Sequence, residues 1–290
     1  MSGVLIIRNA EVAGRFADVT VEDGRIASVS AASAGGAPHR ADVIDARGGA
    51  LLPGLCDHHL HLLALAAARR SVLAGPPAAR TAAELGAALA AGARQLAAGE
   101  WLRAVGYHES VAGPLGRAEL DRLVPDRPVR LQHRSGAMWI LNTPALDRLG
   151  AGGFDHAGVE RDGGGAPTGR LFGLDDWLRD RLAGRPPPLR PVGEELARYG
   201  VTGVTDATPT ERGEDASLLA DAVRRGDLPQ RVRLTGGLAL DPESGSSLVR
   251  GPVKLVVADH QLPGVDDLAR QVAAAHRLDR HVAVHCVTRT

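Results

Sequence analysis

Residues 51–62 read LLPGLCDHHLHL, an apolar run that passes directly into a cluster of histidines. The apolar part predicts a buried strand. Because side chains alternate along a strand, His59 and His61 share one face while His58 points the other way. Two imidazoles at that spacing, roughly 7 Å apart, can converge on a metal ion beyond the strand end. A histidine-rich loop without a ligand role is the alternative that this motif alone leaves open.

Strands and helices alternate in the second half of the chain. The predicted strands there are 201–206, 231–240, 253–258 and 281–286, and the predicted helices between them are 214–227 and 265–279. Such alternation is typical of βαβ units in a parallel sheet. With 51–62 the strands number five, where a closed barrel has eight. The predicted fold class is α/β, an incomplete TIM-like (β/α) barrel.

The segments on either side of the first strand predict two further parts. Residues 1–50 contain short strands and a turn at Asp23-Gly24, which predicts half of a β-sandwich module before a barrel part over 51–290. A long insertion at about 81–195 follows barrel strand one. It opens with a helix over 81–99, N-capped by Thr81, and continues as a largely irregular region with two strands and a short helix.

The composition is that of a soluble globular protein, with 44% hydrophobic and 23% charged residues. A formal net charge of zero and the lack of a basic run argue against nucleic acid and anionic membranes as partners. The two cysteines, Cys56 and Cys286, are too few for a disulfide scaffold. No signal peptide or membrane span is indicated, so the expected location is the cytoplasm and the expected partner a small-molecule substrate. The composition is also compatible with a homo-oligomer.

Lys254 is the only lysine among 34 lysine and arginine residues. A buried lysine can lose its proton readily, whereas arginine stays charged, so this position suggests chemistry that needs an amine. Lys254 lies on the strand 253–258, and His285 lies near the end of the strand 281–286. Barrel enzymes build their sites at strand ends, so His59, His61, Lys254 and His285 are candidate ligands of one metal centre.

Several motifs together resemble the amidohydrolase superfamily of metal-dependent hydrolases. The ordered set is similar to amidohydrolase family 3, the branch that includes N-substituted formamide deformylase-like enzymes, and the resemblance covers essentially the whole chain. The motifs are VEDGRIASVS (21–30), LLPGLCDHHLHL (51–62), GYHES (106–110), LQHRSGAMWILNTPALDRLG (131–150) and GVTGVTDAT (200–208).

The resemblance implies a ligand set and a reaction. It assigns the H-x-H ligands to His59 and His61, the strand-five ligand to His285, and a metal-bridging lysine, often carbamylated, to Lys254. Such nitrogen and oxygen ligands suit one or two divalent ions, with zinc favoured and manganese, iron or nickel as alternatives. The implied reaction is attack by metal-bound hydroxide on an amide-type carbonyl at a carbon–nitrogen bond other than a peptide bond.

The chain also departs from the family pattern. Ser135-Gly136-Ala137 stands where the branch commonly has D-G-H, which leaves the substrate class open. A strand-six histidine and the strand-eight aspartate that usually serves as general base have no counterpart, so the chain is expected to be a fragment. Two alternatives therefore stay open. One is a catalytically incomplete chain that keeps a metal half-site or acts as a binding partner, and the other is a cyclic-amide hydrolase or deaminase.

Some positions carry weaker predictions. Candidate substrate contacts are His108, His133, Trp139, Asn142 and His260. Asp206, at the end of its strand, could either face the cavity or cap the next helix. The two cysteines each lie one residue out of phase with a predicted ligand, which favours small buried apolar positions over metal ligands.

Overall fold

The computed structural model describes residues 3–32, 41–182, 186–210, 213–240, 248–257 and 262–286. The chain divides into two compact units, one of Met1–Cys56 with Gly200–Gly203 and the other of Asp57–Tyr199 with Val204–Thr290. No helix within the described residues is both long and apolar enough to cross a bilayer. The boundaries expected near residues 50, 81 and 195 remain predictions.

The first unit contains a four-stranded sheet in the order β3-β2-β1-β4. Its strands are β1 (Val4–Val12), β2 (Arg15–Glu22), β3 (Arg25–Ala31) and β4 (Ala41–Asp45). β1, β2 and β3 pair antiparallel, and β4 runs parallel to β1. The predicted turn between β2 and β3 is confirmed, with positive φ angles of 49° at Asp23 and 74° at Gly24. A second layer that would make a sandwich stays a prediction.

The histidine-bearing stretch forms a strand and then a helix. β5 (Leu55–Leu60) is shorter than the predicted 51–62, and α1 (Leu62–Arg69) begins directly after His61. The backbone before β5 passes close to its neighbour, because a Cβ at Gly54 would lie 2.3 Å from the Thr202 hydroxyl oxygen. The Leu55 amide donates to the Gly200 carbonyl at 2.9 Å, so the strand is paired from its first residue.

The region from about 100 to 195, expected to be largely irregular apart from two strands and a short helix, instead contains most of a structure built on a six-stranded mixed sheet. Its elements are β6 (Val72–Leu73), α2 (Ala82–Arg94), β7 (Leu102–Tyr107), α3 (Glu109–Ala112), α4 (Arg117–Leu123), β8 (Val129–His133), β9 (Met138–Leu141), α5 (Thr143–Leu149), β10 (Val159–Arg161), β11 (Pro167–Phe172), α6 (Asp175–Arg181) and α7 (Arg190–Arg198). The strand order is β10-β11-β9-β8-β7-β6. β9 and β10 have only four and three residues, and β11 begins with a proline and contains a glycine, which weakens a strand prediction from sequence.

The predicted helix at the start of this region is confirmed with its capping box. The Thr81 hydroxyl accepts from the Glu84 amide at 3.2 Å, and the Glu84 carboxylate accepts from the Thr81 amide at 3.1 Å. The helix ends at Arg94, five residues before the predicted end at 99. Leu85 and Leu89 are fully buried on its inner face, against the side of the sheet that carries Leu102, Ala104 and Leu131.

The remaining elements build a curled parallel sheet in the order β15-β14-β13-β12-β5. They are β12 (Val201–Thr210), α8 (Gly213–Arg224), β13 (Arg231–Gly236), β14 (Leu248–Val257), α9 (Val265–Arg277) and β15 (Val282–Cys286). The five predicted barrel strands are thus confirmed as strands of one sheet. Their limits shift, since β13 ends before the predicted residue 240 and β14 begins before the predicted residue 253.

Candidate metal centre

His59 lies on β5 and His61 directly follows the strand, at the N-cap of α1, and the two rings are close to each other. Their ring centroids are 5.5 Å apart, with the planes at 72°. The Asp57 side chain accepts a hydrogen bond from the His59 amide at 2.9 Å, which holds the backbone between the two residues. Both imidazoles are exposed, so they are accessible to an ion from solution.

Asp206 anchors the end of this strand from β12. Its carboxylate accepts from the Leu62 amide at 2.8 Å and from the Thr208 amide at 2.9 Å, and the residue is only 2% exposed. The two alternatives considered for Asp206 are thereby replaced by a third. It caps the first residue of α1, a helix 144 residues earlier in the chain, rather than the helix after its own strand.

His61 is oriented by the same strand, since its Nδ1 lies 3.0 Å from the Thr208 hydroxyl oxygen. This contact directs the other ring nitrogen away from β12. Partial burial of the ring is the main reason that the pKa of His61 lies below its usual value, while the Asp206 carboxylate acts in the opposite direction. Three neighbouring basic side chains add to the lowering: His59, Lys254 and His285. A lowered pKa favours the neutral imidazole, which is the form that binds metals.

Lys254 and His285 lie on one face of two adjacent strands. In the parallel pair, Lys254 is opposite Ala283 and Val256 is opposite His285, so all four point to the same side. Burial lowers the pKa of the Lys254 amine, which increases its neutral fraction at a given pH. β12 and β13 separate these strands from β5, yet both side chains act electrostatically on His61, as the curl of the sheet allows.

The donor set fits a divalent ion in its chemistry. Imidazole nitrogens, with a lysine that could become an oxygen ligand, are groups that zinc and similar ions accept. The set is not a closed shell, however, because no three His, Cys, Asp or Glu side chains within the described ranges are grouped so that they could hold a metal ion. The structure brings His59 and His61 together and sets Lys254 and His285 within electrostatic range of His61.

The predicted substrate contacts in the mixed sheet fall into two groups, of which the first is a histidine pair. The rings of His108 and His133 stack at 5.9 Å, and His133 Nε2 lies 3.1 Å from a Glu109 carboxylate oxygen. The pKa of Glu109 is lowered, first by its own backbone amide and then by the hydrogen bond with His133. A role of this pair in substrate binding remains a prediction.

Trp139 and Asn142 form the second group and are buried. The Trp139 indole donates to Asp175 at 2.8 Å, and the residue is 5% exposed. The Asn142 oxygen accepts from the amides of Val129 and Ala145, and its amide group donates to two backbone carbonyls. The side-chain oxygen and amide group of Asn142 are therefore both used in hydrogen bonds within the fold, where the residue caps α5. The structure lends its predicted substrate role no support.

Two further predictions have different outcomes. The expectation that Cys56 and Cys286 are small buried positions is wrong, because both thiols are exposed. Each lies on the face of its strand opposite to the neighbouring histidine ligand, and that face is not covered there within the described ranges. His260, a predicted substrate contact, lies outside the described residues.

Comparison with known proteins identifies the family of the chain. The model of the amidohydrolase family matches residues 42–290. The N-substituted formamide deformylase of Arthrobacter pascens is 31% identical over 245 residues, which are 76% of this chain and 44% of that protein. The chain therefore spans less than half of the deformylase's length.

Two crystal structures of uncharacterized metal-dependent hydrolases share the fold. The protein from Pyrococcus horikoshii OT3 superposes with a TM-score of 0.70 at 18% identity, over 98% of this chain and 65% of that one. The protein from Pyrococcus furiosus gives 0.67 at 18% identity, over 98% and 67%. With the family model covering most of the residues, including the strands that carry His59, His61, Lys254 and His285, the chain belongs to the amidohydrolase family.

Proposed function

We propose that this chain supplies the metal-binding part of a hydrolase that acts on a carbon–nitrogen bond other than a peptide bond, in a small amide-type substrate. The observation that carries the proposal is the pairing of His59 and His61, whose ring centroids are 5.5 Å apart, in a sheet that also holds Lys254 and His285 on one face of two adjacent strands. Family membership supports the reaction class. N-substituted formamides, the substrates in the relative's name, are the first compounds to test.

Each proposed ligand has a distinct task. His59 and His61 offer neutral ring nitrogens, and Thr208 holds the His61 ring by its other nitrogen. His285 offers a third imidazole. Lys254 can provide an oxygen ligand if its neutral amine adds carbon dioxide, which a guanidinium does not do. A zinc ion bound there would polarise the substrate carbonyl and lower the pKa of a coordinated water.

Metal content tests the histidine assignment. The purified chain is loaded with zinc, dialysed, and analysed for bound metal by mass spectrometry, beside His59→Ala, His61→Ala and the control His276→Ala. His276 lies exposed on α9, away from the proposed ligand set, so its loss should leave the zinc content unchanged. We expect His59→Ala and His61→Ala to lose most of the zinc. Equal zinc in His59→Ala and His276→Ala would show that the site is wrongly assigned.

The lysine assignment has its own readout. Native mass spectrometry of the zinc-loaded chain should show one added carbon dioxide, and Lys254→Arg should lack it. Because Lys254 is the only lysine, the N-terminal amine is the one other amine to exclude, and Lys254→Arg keeps that amine. An adduct that persists in Lys254→Arg, or full zinc content in that variant, would rule out Lys254 as a ligand.

Hydrolysis is measured last, with the full-length protein and an N-substituted formamide, and release of the amine is the signal. A zinc-dependent release that His61→Ala abolishes and His276→Ala retains is the expected result. A chain that binds zinc at these residues yet hydrolyses neither formamides nor other amides would keep the metal site and reject the activity.

A further inference from the structure

Two arginines lie directly opposite each other in the mixed sheet, away from the proposed metal ligands. Arg103 on β7 pairs in register with Arg130 on the parallel strand β8. Like charges in directly opposed positions of neighbouring strands repel each other and destabilise the sheet. Their side chains are on the face opposite to the core residues Leu102, Ala104 and Leu131.

Asp175 is a nearby carboxylate, but it forms no ion pair with either arginine. Within the described ranges, neither arginine takes part in an ion pair, and the Nε atom of Arg130 is buried without a hydrogen-bond partner. Arg103 donates to the Ser71 hydroxyl, a neutral acceptor, and Asp175 acts on it only as a nearby charge. A buried donor left without an acceptor is unfavourable, so the pair is incomplete as it stands.

The pair is held in place by an aromatic ring. The guanidinium carbons of Arg103 and Arg130 lie 5.4 and 5.6 Å from the centroid of the Trp139 ring, which offsets part of the repulsion. Burial, followed by the charge of Arg103, lowers the pKa of Arg130 to about 10, which still leaves it charged at neutral pH. Both guanidinium groups thus lie over the same Trp139 ring, and the Arg130 Nε donor has no acceptor.

These arginines line a cavity of ≈ 670 Å³. Six of the lining residues matter for its chemistry: Arg69, Arg70, Arg103, Arg130, Leu96 and Trp101. Arg69 forms an ion pair with Glu195, which does not line the cavity. Among the described residues, the lining includes no acidic side chain. The cavity is therefore strongly cationic on one side and apolar on the other, and its volume lies in the range of small-molecule sites.

We propose that this cavity binds a small organic oxyanion, with its charged end at Arg103 and Arg130 and its apolar body against Leu96 and Trp101. Guanidinium groups bind carboxylates and phosphates through paired hydrogen bonds, so either head group suits the two arginines that line the cavity. The negative charge of the bound anion offsets the repulsion between the two neighbouring guanidiniums. The binding does not depend on the proposed metal centre, because it uses none of its residues.

Calorimetric titration of the full chain tests the proposal with three probes that share a phenyl ring: benzoate, phenyl phosphate and neutral benzamide. We expect saturable binding of one or both anions and none of benzamide. Arg103→Gln and Arg130→Gln should bind the anion about tenfold more weakly or worse. The control Arg134→Gln removes an exposed arginine just after β8 and should bind like the unmodified chain.

The comparison among probes also shows whether the cavity prefers a carboxylate or a phosphate, since benzoate and phenyl phosphate differ only in the head group. Binding of benzamide as tight as that of the anions would overturn the proposal, as would failure of both anions to bind. So would equal losses in Arg130→Gln and Arg134→Gln. Circular dichroism confirms that each variant is folded before titration.

A measurement on the unmodified chain covers the case in which the variants fail to fold. Hydrogen exchange followed by mass spectrometry, with and without the tighter anion, should show protection in peptides spanning 67–72 and 95–103, which line the cavity. Peptides from the sheet of β1 to β4 should exchange unchanged. Protection confined to other parts of the chain would place the anion elsewhere and reject the site.

Discussion

The carboxylate of Asp206 accepts a hydrogen bond from the backbone amide of Leu62 at 2.8 Å. Through this bond β12 determines where β5 ends and α1 begins, and therefore where the His61 side chain is held. The same carboxylate receives the Thr208 amide, and Thr208 contacts the His61 ring. One buried acid thus supports both the backbone and the ring of a proposed ligand.

Replacement of Asp206 by alanine should destabilise the fold. The buried amide of Leu62 and the partly buried amide of Thr208 would lose their acceptor, and we expect the free energy of unfolding to fall by roughly 2–4 kcal/mol. Urea unfolding followed by circular dichroism measures this. Asp126→Ala, which removes an exposed aspartate, is the control and should change stability little. Similar stability of the two variants would contradict the capping role.

Thr208→Val should weaken zinc binding without unfolding the chain. It removes the hydroxyl that contacts His61 Nδ1 but keeps the size of the side chain. Loss of such an orienting contact typically costs tenfold or more in affinity, so zinc binding should weaken by about tenfold. Competition with a chromophoric chelator gives the affinity. Thr202→Val, on the same strand, removes a hydroxyl that bonds to the Leu55 carbonyl and should leave the affinity unchanged.

Asn142→Ala should act on stability and not on substrate. Its side chain accepts from Val129 and Ala145 and lies fully buried, so truncation leaves several backbone groups without partners. We expect a loss of about 3 kcal/mol in the free energy of unfolding. Asn142→Ser keeps an oxygen that can accept from Ala145 and should lose less. Unchanged stability in Asn142→Ala, combined with a higher KM, would restore the predicted substrate role.

Arg280→Lys should also lower stability, although the charge is kept. The guanidinium of Arg280 is nearly buried and donates to the carbonyls of Gly251 at 3.1 Å, Gly237 at 2.8 Å and Pro252 at 3.2 Å. A single ammonium cannot reach acceptors spread over this span, so a loss of about 2 kcal/mol is expected in urea unfolding. Arg277→Lys is the exposed control. Equal stability of the two variants would show that these bonds contribute nothing.

Tyr107 should titrate late. Burial, followed by the charge of Glu109, raises the pKa of its phenol from 10.0 to about 12. The only other tyrosine, Tyr199, is 66% exposed, so the ultraviolet titration of Tyr199→Phe isolates Tyr107. We expect a midpoint near pH 12. Because the folded-state pKa is raised, the stabilising contribution of the neutral phenol is full below about pH 10 and is lost as the pH rises towards about 12. A midpoint near 10 would contradict the prediction.

Local patterns were enough to predict much of the fold. The capping box of Thr81 and Glu84 depends on residues three apart, so it could be identified directly in the sequence, and the same holds for the turn at Asp23-Gly24. The five strands of the curled sheet were predicted because each combines apolar runs with flanking turn signals. The phase of His59 and His61 follows from strand geometry alone.

Relationships between distant segments could not be predicted in the same way. The partner of Asp206 lies 144 residues away, and no local pattern identifies it. Arg103 and Arg130 face each other only because β7 and β8 pair in one register, which a shift of one residue would abolish. The exposure of Cys56 and Cys286 depends on what covers the outer face of the sheet, and strand periodicity does not specify that.

Gly54 limits how the histidine stretch can vary. A side chain at this position would collide with Thr202, since even a Cβ would lie 2.3 Å from its hydroxyl oxygen. A saturation library across residues 51–62, selected for folded protein, should therefore recover glycine at position 54, whether or not it is also selected for catalytic activity. The collision also suggests a route for redesign, because a glycine introduced at position 202 would free position 54 for a larger residue. The two positions are then best varied together.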